Sequence, residues 1–267
     1  MKVGAGPGGL NKYLHELARR KDLLLYLVVS GLKAQHRNTI LGYFWWLLDP
    51  LLGVLIYYFV VVIVFKRGGD DYAVHLVIGM VVWRWLGSTL SGSSKSIVSQ
   101  AGVITQIYLP KAIFPVGIAI SQLVNFGFGL IVVALFLGFA GYRGSPALLW
   151  LPAIITSQLI FQTAAAMVLA YVCTFVRDIE TLVNHLSRLW FYGSPVIWPE
   201  SLIPPSKHWL LDINPMTHYL RAYRNVLMEG VMPDMTSLVF LAAGSTVFIL
   251  AMTYFYSQNE HKIIKAL

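Results

Sequence analysis

The chain has 267 residues, of which 57% are hydrophobic and only 12% charged, whereas a soluble domain carries about 25% charged residues. That much apolar surface exceeds what a water-soluble core can bury and places the chain in a bilayer. The formal net charge of +8 does not point to nucleic acid, because the basic residues flank apolar stretches and form no aromatic-interleaved patch.

No short apolar segment with a small-residue cleavage site follows the first basic residues, so insertion is expected to rely on the first membrane helix. After the glycines at 4, 6, 8 and 9, residues 10–35 read as an amphipathic helix. Leu14, Leu17, Leu24, Leu25 and Val28 are its apolar anchors, and Arg19, Arg20 and Lys21 its basic cluster. Such a helix lies in the inner interface with cations toward anionic headgroups. A hydrocarbon core of about 30 Å needs roughly 20 apolar residues per helix, and six stretches qualify: 42–65, 72–92, 112–140, 146–175, 181–198 and 236–257. The fifth is short and carries Asn184, His185 and Arg188.

Between the second and third spans, residues 96–108 are too polar for lipid and end at Pro110, which suits a short cytoplasmic helix. Arg177, Asp178, Ile179 and Glu180 form an inner turn between the fourth and fifth spans. Residues 199–235 contain five prolines and scattered aromatics, which predicts short outer helices dipping into the leaflet. The predicted organisation is an all-α integral membrane protein: a cytoplasmic N-terminus (1–41), a six-span domain (42–257, with 199–235 outside) and a cytoplasmic tail (258–267). On that topology, twelve lysines and arginines flank the inner face and six the outer, which sets both termini in the cytoplasm.

No phosphate-binding loop is present, since the nearest spacing, Gly87 to Gly92, has serine where the lysine should follow. The seven histidines show no compact metal spacing, so neither metal nor nucleotide is expected in this chain. The single cysteine, Cys173, reads as a packing residue. Asp49, beside Pro50, is an acid in a predicted span: either it pairs with a cation or it takes part in transport. Arg84, between Trp83 and Trp85, either snorkels to the surface or faces a wet cavity where it could meet a phosphate. The dense aromatic runs at Phe44, Trp45, Trp46 and at Trp190, Phe191, Tyr192 either belong to interfacial belts or line a passage for sugar rings.

Several runs in consistent order carry a family likeness. They are Thr39 to Trp45 with Pro50; Tyr108-Leu109-Pro110; Val176 to Glu180; Phe191 to Trp198; and Asn214-Pro215-Met216 followed by Tyr223-Arg224. With these the chain resembles the permease subunit of ATP-binding-cassette exporters of lipid-linked polysaccharides, the group that handles wall teichoic acids, O-antigens and capsules. The resemblance implies a homodimer in the bacterial cytoplasmic membrane with two copies of a separate ATPase, which binds the ATP and magnesium. It implies that residues 96–108 act as a coupling helix, with Val103, Ile104, Ile107 and Tyr108, and the turn residues Arg177, Asp178 and Glu180, meeting that ATPase. The implied substrate is a polymer on undecaprenyl diphosphate, wall teichoic acid by the run His208 to Met216, with the aromatics above as the path and Arg84 as a holder of the diphosphate. The alternatives are a small-lipid or drug exporter of the same architecture and, in another class, a membrane-embedded polyprenyl-linked transferase.

Overall fold

The computed structural model describes residues 13, 15–35, 39–64, 66, 71–104, 106 and 109–267, and the regular elements among them are all helical. Five helices are long and apolar enough to cross a bilayer: Trp45–Val64, Tyr72–Lys95, Ile113–Phe139, Pro146–Phe175 and Met235–Ala266. The chain is a multi-pass membrane protein. These helices coincide within a few residues with five of the six predicted spans, the last excepted at its C-terminal end.

In chain order, α1 is Lys21–Gln35, α2 Trp45–Tyr58, α3 Tyr72–Lys95, α4 Ala101–Ile104, α5 Ile113–Phe139 and α6 Leu151–Phe175. They are followed by α7 Asp178–Gly193, α8 Trp209–Ile213, α9 Pro215–Arg224 and α10 Met235–Ala266. The first span relaxes into π-turns over Phe59–Val64, where five consecutive β-branched residues crowd the preceding turn. Helix α3 is central: 61% of its apolar window is buried against 11% for α2, and it packs on α2, α5, α6, α7 and α9.

The predicted fifth span differs from expectation. Its helix, α7, has 16 residues, about 24 Å at 1.5 Å per residue, and is not among the five long apolar helices. Asp178 and Glu180 occupy its first turn, where carboxylates offset the helix dipole. The chain then leaves the helix at Ser194 and runs on without regular structure past α3. Glu180 pairs with Lys95 at one end of α3 (2.8 Å), and the Ile197 carbonyl accepts from the Tyr72 hydroxyl at the other (2.8 Å). Gly79 permits that course, because a Cβ there would stand 2.7 Å from the Val196 carbonyl oxygen and 2.9 Å from Arg224 Nη2.

The outer segment folds inward, as its prolines suggested. Short helical turns over Glu200–Leu202 and Pro205–Lys207 lead to α8, the chain turns at Asn214, and α9 returns through the interior with Met216, Tyr219, Leu220 and Tyr223 buried. Pro215 at N1 and the Asn214 side chain, which accepts from the Met216 amide at 3.0 Å, start α9. Arg221 chelates Glu200 and holds the descending limb to the returning one.

A second cluster closes the opposite end. Lys111 is fully buried; its amide donates to Glu260 Oε1 (3.3 Å), and its ammonium lies 3.8 Å from Glu260 Oε2. The Ala112 amide donates to the Tyr13 hydroxyl (3.3 Å), and Tyr256 donates to the Met167 carbonyl (2.9 Å). Burial lowers the Lys111 pKa, and Glu260 partly offsets it. The residues predicted as a cytoplasmic tail, 258–267, continue α10 to Ala266, with Ile263 buried in this cluster. The N-terminal helix is also more than an interfacial anchor, since Leu24 and Leu27 of α1 lie against Gly117 of α5.

Candidate functional site

Helices α2, α3 and α7 enclose a groove of about 490 Å³ whose walls include Asp49, Tyr57, Trp83, Arg84, Arg188 and Tyr192. Two sequence candidates meet in it: Arg84 Nη2 donates to Asp49 Oδ2 at 2.7 Å, with the side chains 48% and 34% exposed. An isolated arginine or aspartate in an apolar layer is costly, so each accounts for the other. Beneath the pair, on the α5 side, lies a smaller cavity of about 230 Å³ that shares Asp49, Pro50 and Arg84 and adds Gln35, Trp46, Ser88, Gln122 and Asn125. Asn125 bridges Gln35 and Gln122 through its amide group at 3.1 and 2.9 Å. The ion pair thus divides an amide-lined chamber from an aromatic one.

The aromatic wall is a continuous chain of ring contacts. Tyr57 meets Phe191 at 5.7 Å, Phe191 meets both Tyr192 (5.1 Å) and Trp83 (5.5 Å), and Trp83 meets Trp190 edge-on at 5.7 Å. Such tilted and edge-to-face pairs are the favoured aromatic geometries. The amphipathic pattern of α7 turns Ser187, Arg188, Phe191 and Tyr192 to the groove. Trp190 goes to the other side, where its indole N–H donates to Asn214 Oδ1 at 2.8 Å and its ring lines an apolar cavity of about 770 Å³.

Of the predicted path residues, the structure brings Phe191 and Tyr192 into the groove with Arg84 and places Trp46 in the adjoining chamber, packed on Phe128 at 4.5 Å. Phe44 is exposed, and neither it nor Trp45 lines any of these cavities. Trp190 lines the separate apolar cavity and donates to Asn214.

The predicted coupling segment is a 3-10 turn, Val98–Gln100, running into the single turn of α4. Ile104 is buried in the second cluster with Ile97 and Leu109, so its side chain packs inward. Ile107 and Tyr108 lie outside the described residues, as does the Val103 side chain. Arg177 and Asp178 are exposed, while Glu180 is engaged by Lys95. No group of three or more metal-ligating side chains occurs among the described residues.

Sequence reasoning missed three polar positions. Arg224 is buried and donates to the carbonyls of Val196 (3.2 Å) and His75 (3.4 Å), so it clamps the run after α7 onto α3. Gln122 and Asn125 wall the amide chamber, although nothing but their polarity inside a span could have drawn attention to them.

Residues 22–228 match the protein family described as ABC-2 type transporter. The chain belongs to that family. It is similar to an O-antigen export system permease protein of Myxococcus xanthus, 27% identical over 259 residues, covering 96% of this chain and 99% of the relative. A second such permease protein, from Klebsiella pneumoniae, is 26% identical over 245 residues, 91% of this chain and 95% of its own length. Another from the same organism is 26% identical over 222 residues, 83% and 86% respectively. This ABC-2 type chain is a transporter permease.

Proposed function

We propose that this permease is the membrane subunit of an ATP-driven exporter that moves a polysaccharide, carried on undecaprenyl diphosphate, from the cytoplasmic to the outer face of the bacterial cytoplasmic membrane. The observation that carries this reading is the near end-to-end similarity to O-antigen export permeases, with an aromatic groove on α2, α3 and α7 as its physical support. Rings suit a sugar chain because they pack on pyranose faces and let the chain slide without fixed bonds. The relatives' names favour an O-antigen-type polymer over the wall teichoic acid suggested by the run His208 to Met216.

In this reading the chain works as a homodimer on two copies of a separate ATPase, with residues 96–108 and the turn at Arg177 and Asp178 facing that partner. Ile104 is buried in the same apolar cluster as Tyr13, Ile113 and Ile263, and a push on α4 passes into that cluster. ATP hydrolysis shifts the balance between states of the passage, and the inner cluster carries that shift into the spans.

Deletion of the gene tests the reading. Surface polysaccharide should vanish, its lipid-linked form should accumulate inside, and a plasmid copy should restore both. Unchanged surface polymer, combined with stimulation of the partner ATPase by small lipids or drugs, would transfer the chain to the small-lipid exporter class.

A further inference from the structure

The groove between α2, α3 and α7 holds two cations and one carboxylate. Arg84 is engaged by Asp49 at 2.7 Å; Arg188, on the same groove, has no acidic side chain within ion-pair distance among the described residues. The Asp49 contact uses one N–H of Arg84, and a guanidinium carries five. The exposure of the two partners, 48% and 34%, shows that the pair opens onto the groove and is not sealed in the core. A structural cross-link would gain from being closed off, whereas an open, singly bonded arginine beside an unpaired one is arranged to take a further ligand.

We propose that this groove is a subsite for a phosphoryl oxyanion, with Arg84 and Arg188 as its cationic ligands and Asp49 as an internal counter-ion that the arriving anion displaces. Guanidinium forks match phosphate oxygens in geometry and remain charged at any accessible pH. With Asp49 in place the three groups sum to one positive charge; with Asp49 displaced, two positive charges face the ligand, which suits a diphosphate. Asp49 keeps Arg84 neutralised and oriented while the groove is empty, and it sets the affinity by competing for the same donor. Tyr57, Phe191 and Tyr192 then lie where a sugar attached to the phosphoryl group would stack. The proposal rests on the export reading for the origin of the anion, the phosphoryl link between polymer and lipid carrier; the binding itself is a property of the groove.

The test measures calorimetric binding of inorganic pyrophosphate to the full-length chain in nanodiscs of zwitterionic lipid. Parent protein should bind, Arg188→Gln should weaken binding by about tenfold, as expected for one charge-assisted contact, and Asp49→Asn should tighten it by about two- to fivefold, the worth of one exposed ion pair. Tighter binding on loss of a carboxylate is an outcome that a merely structural pair does not give. Arg84→Gln strands Asp49 and can misfold, so the double variant Asp49→Asn/Arg84→Gln serves as the variant without the pair; it should bind more weakly than the parent but more tightly than Arg188→Gln, because the competing carboxylate is gone. Farnesyl diphosphate binding at least as tightly as pyrophosphate assigns a lipid-borne phosphoryl group, and pyrophosphate binding alone assigns the free anion; either supports the subsite. The proposal is overturned if Asp49→Asn leaves affinity unchanged or lowers it, if Arg188→Gln binds like the parent, or if only phosphatidylglycerol vesicles bind and neither diphosphate does. Absent binding of both diphosphates in a chain that still exports polysaccharide sinks the subsite and leaves the export reading intact. Binding in a chain whose deletion leaves surface polymer unchanged does the reverse.

Discussion

Asn214 joins three pieces of the chain through one side chain. Its Oδ1 accepts from the Trp190 indole and from the Met216 amide, and its Nδ2 donates to Ser194 Oγ at 2.8 Å. The residue is at once the N-cap of α9 and the fastener between the re-entrant turn and the end of α7. Asn214→Ala removes a cap, worth about 1 kcal/mol, and leaves the half-buried Trp190 N–H without its acceptor, worth roughly 1–3 kcal/mol more. Thermal unfolding in detergent should therefore show a loss of about 2–4 kcal/mol, while Asn214→Asp, which keeps the acceptor, should lose less. A simpler cap lies at Asp234, whose carboxylate accepts from the amides of Thr236 and Ser237 and from the Ser237 hydroxyl at the start of α10. Those bonds, the hydroxyl first, hold its pKa below the usual carboxylate range. Because the folded pKa is depressed, the stabilisation is present above the ordinary aspartate pKa and fades as pH falls through the folded one. Asp234→Ala should accordingly cost about 1 kcal/mol at neutral pH and less in acid, a convergence that melting curves across pH 3–7 would reveal or refute. The sequence marked Asn214-Pro215-Met216 as a motif but not its task, and it grouped Trp190 with Phe191 and Tyr192 as path residues. Neighbours on a helix point to different sides, and the partner that claims the Trp190 indole is 24 positions away, beyond the reach of any local pattern.

Among the elements, the long apolar helices were legible because hydropathy over 20 residues is a strong signal. Helix α7 was legible only as a weak span, and the structure gives the reason. Its segment is a half-length amphipathic helix followed by an irregular run, so its polar residues serve the groove, and its carbonyls are satisfied by other elements: Tyr72 bonds that of Ile197, and Arg224 that of Val196. Backbone that leaves a helix at membrane depth is tolerated where protein covers it in this way. The seat for that run is Gly79. Gly79→Ala sets a methyl group 2.7 Å from the Val196 oxygen and 2.9 Å from Arg224 Nη2, forcing both away and weakening the bond between them. Overpacking of this kind costs typically 1–3 kcal/mol, and the expected readout is a lower melting temperature with export reduced at matched protein level. An unaltered melting temperature would show that the run after α7 is loosely held. For residues 96–108, a semi-polar 13-residue stretch predicts a short helix but does not reveal that Ile97 and Ile104 turn inward.

At the scale of the molecule, an odd number of long apolar helices among the described residues raises the question of where the termini lie. Five crossings would set the ends of the chain on opposite sides of the membrane. Yet one cluster brings Tyr13, whose hydroxyl accepts from the Ala112 amide, together with Glu260 and Ile263 near the end of α10, so these residues from the two ends of the sequence lie at one end of the bundle. The segment from Glu180 to Ile197 runs the length of α3 from Lys95 to Tyr72, and an even count requires that it cross as well. The excess of basic residues predicts that this end faces the cytoplasm, and labelling tests it. The lone native thiol, Cys173, is buried, which gives a clean background for labelling. In a Cys173→Ala chain, Ser201→Cys on the outer turn should react with a membrane-impermeant maleimide applied to intact spheroplasts, whereas Leu267→Cys should react only after lysis. Equal labelling of both positions in intact spheroplasts, or labelling of Leu267→Cys alone, would contradict an even number of crossings with cytoplasmic termini. The same pair of variants then reports on the passage, because the outer turn is tied to α9 through Glu200 and Arg221. If substrate movement lifts the re-entrant hairpin, labelling at position 201 should speed up when ATP and substrate are supplied to the assembled exporter and stay constant at position 267.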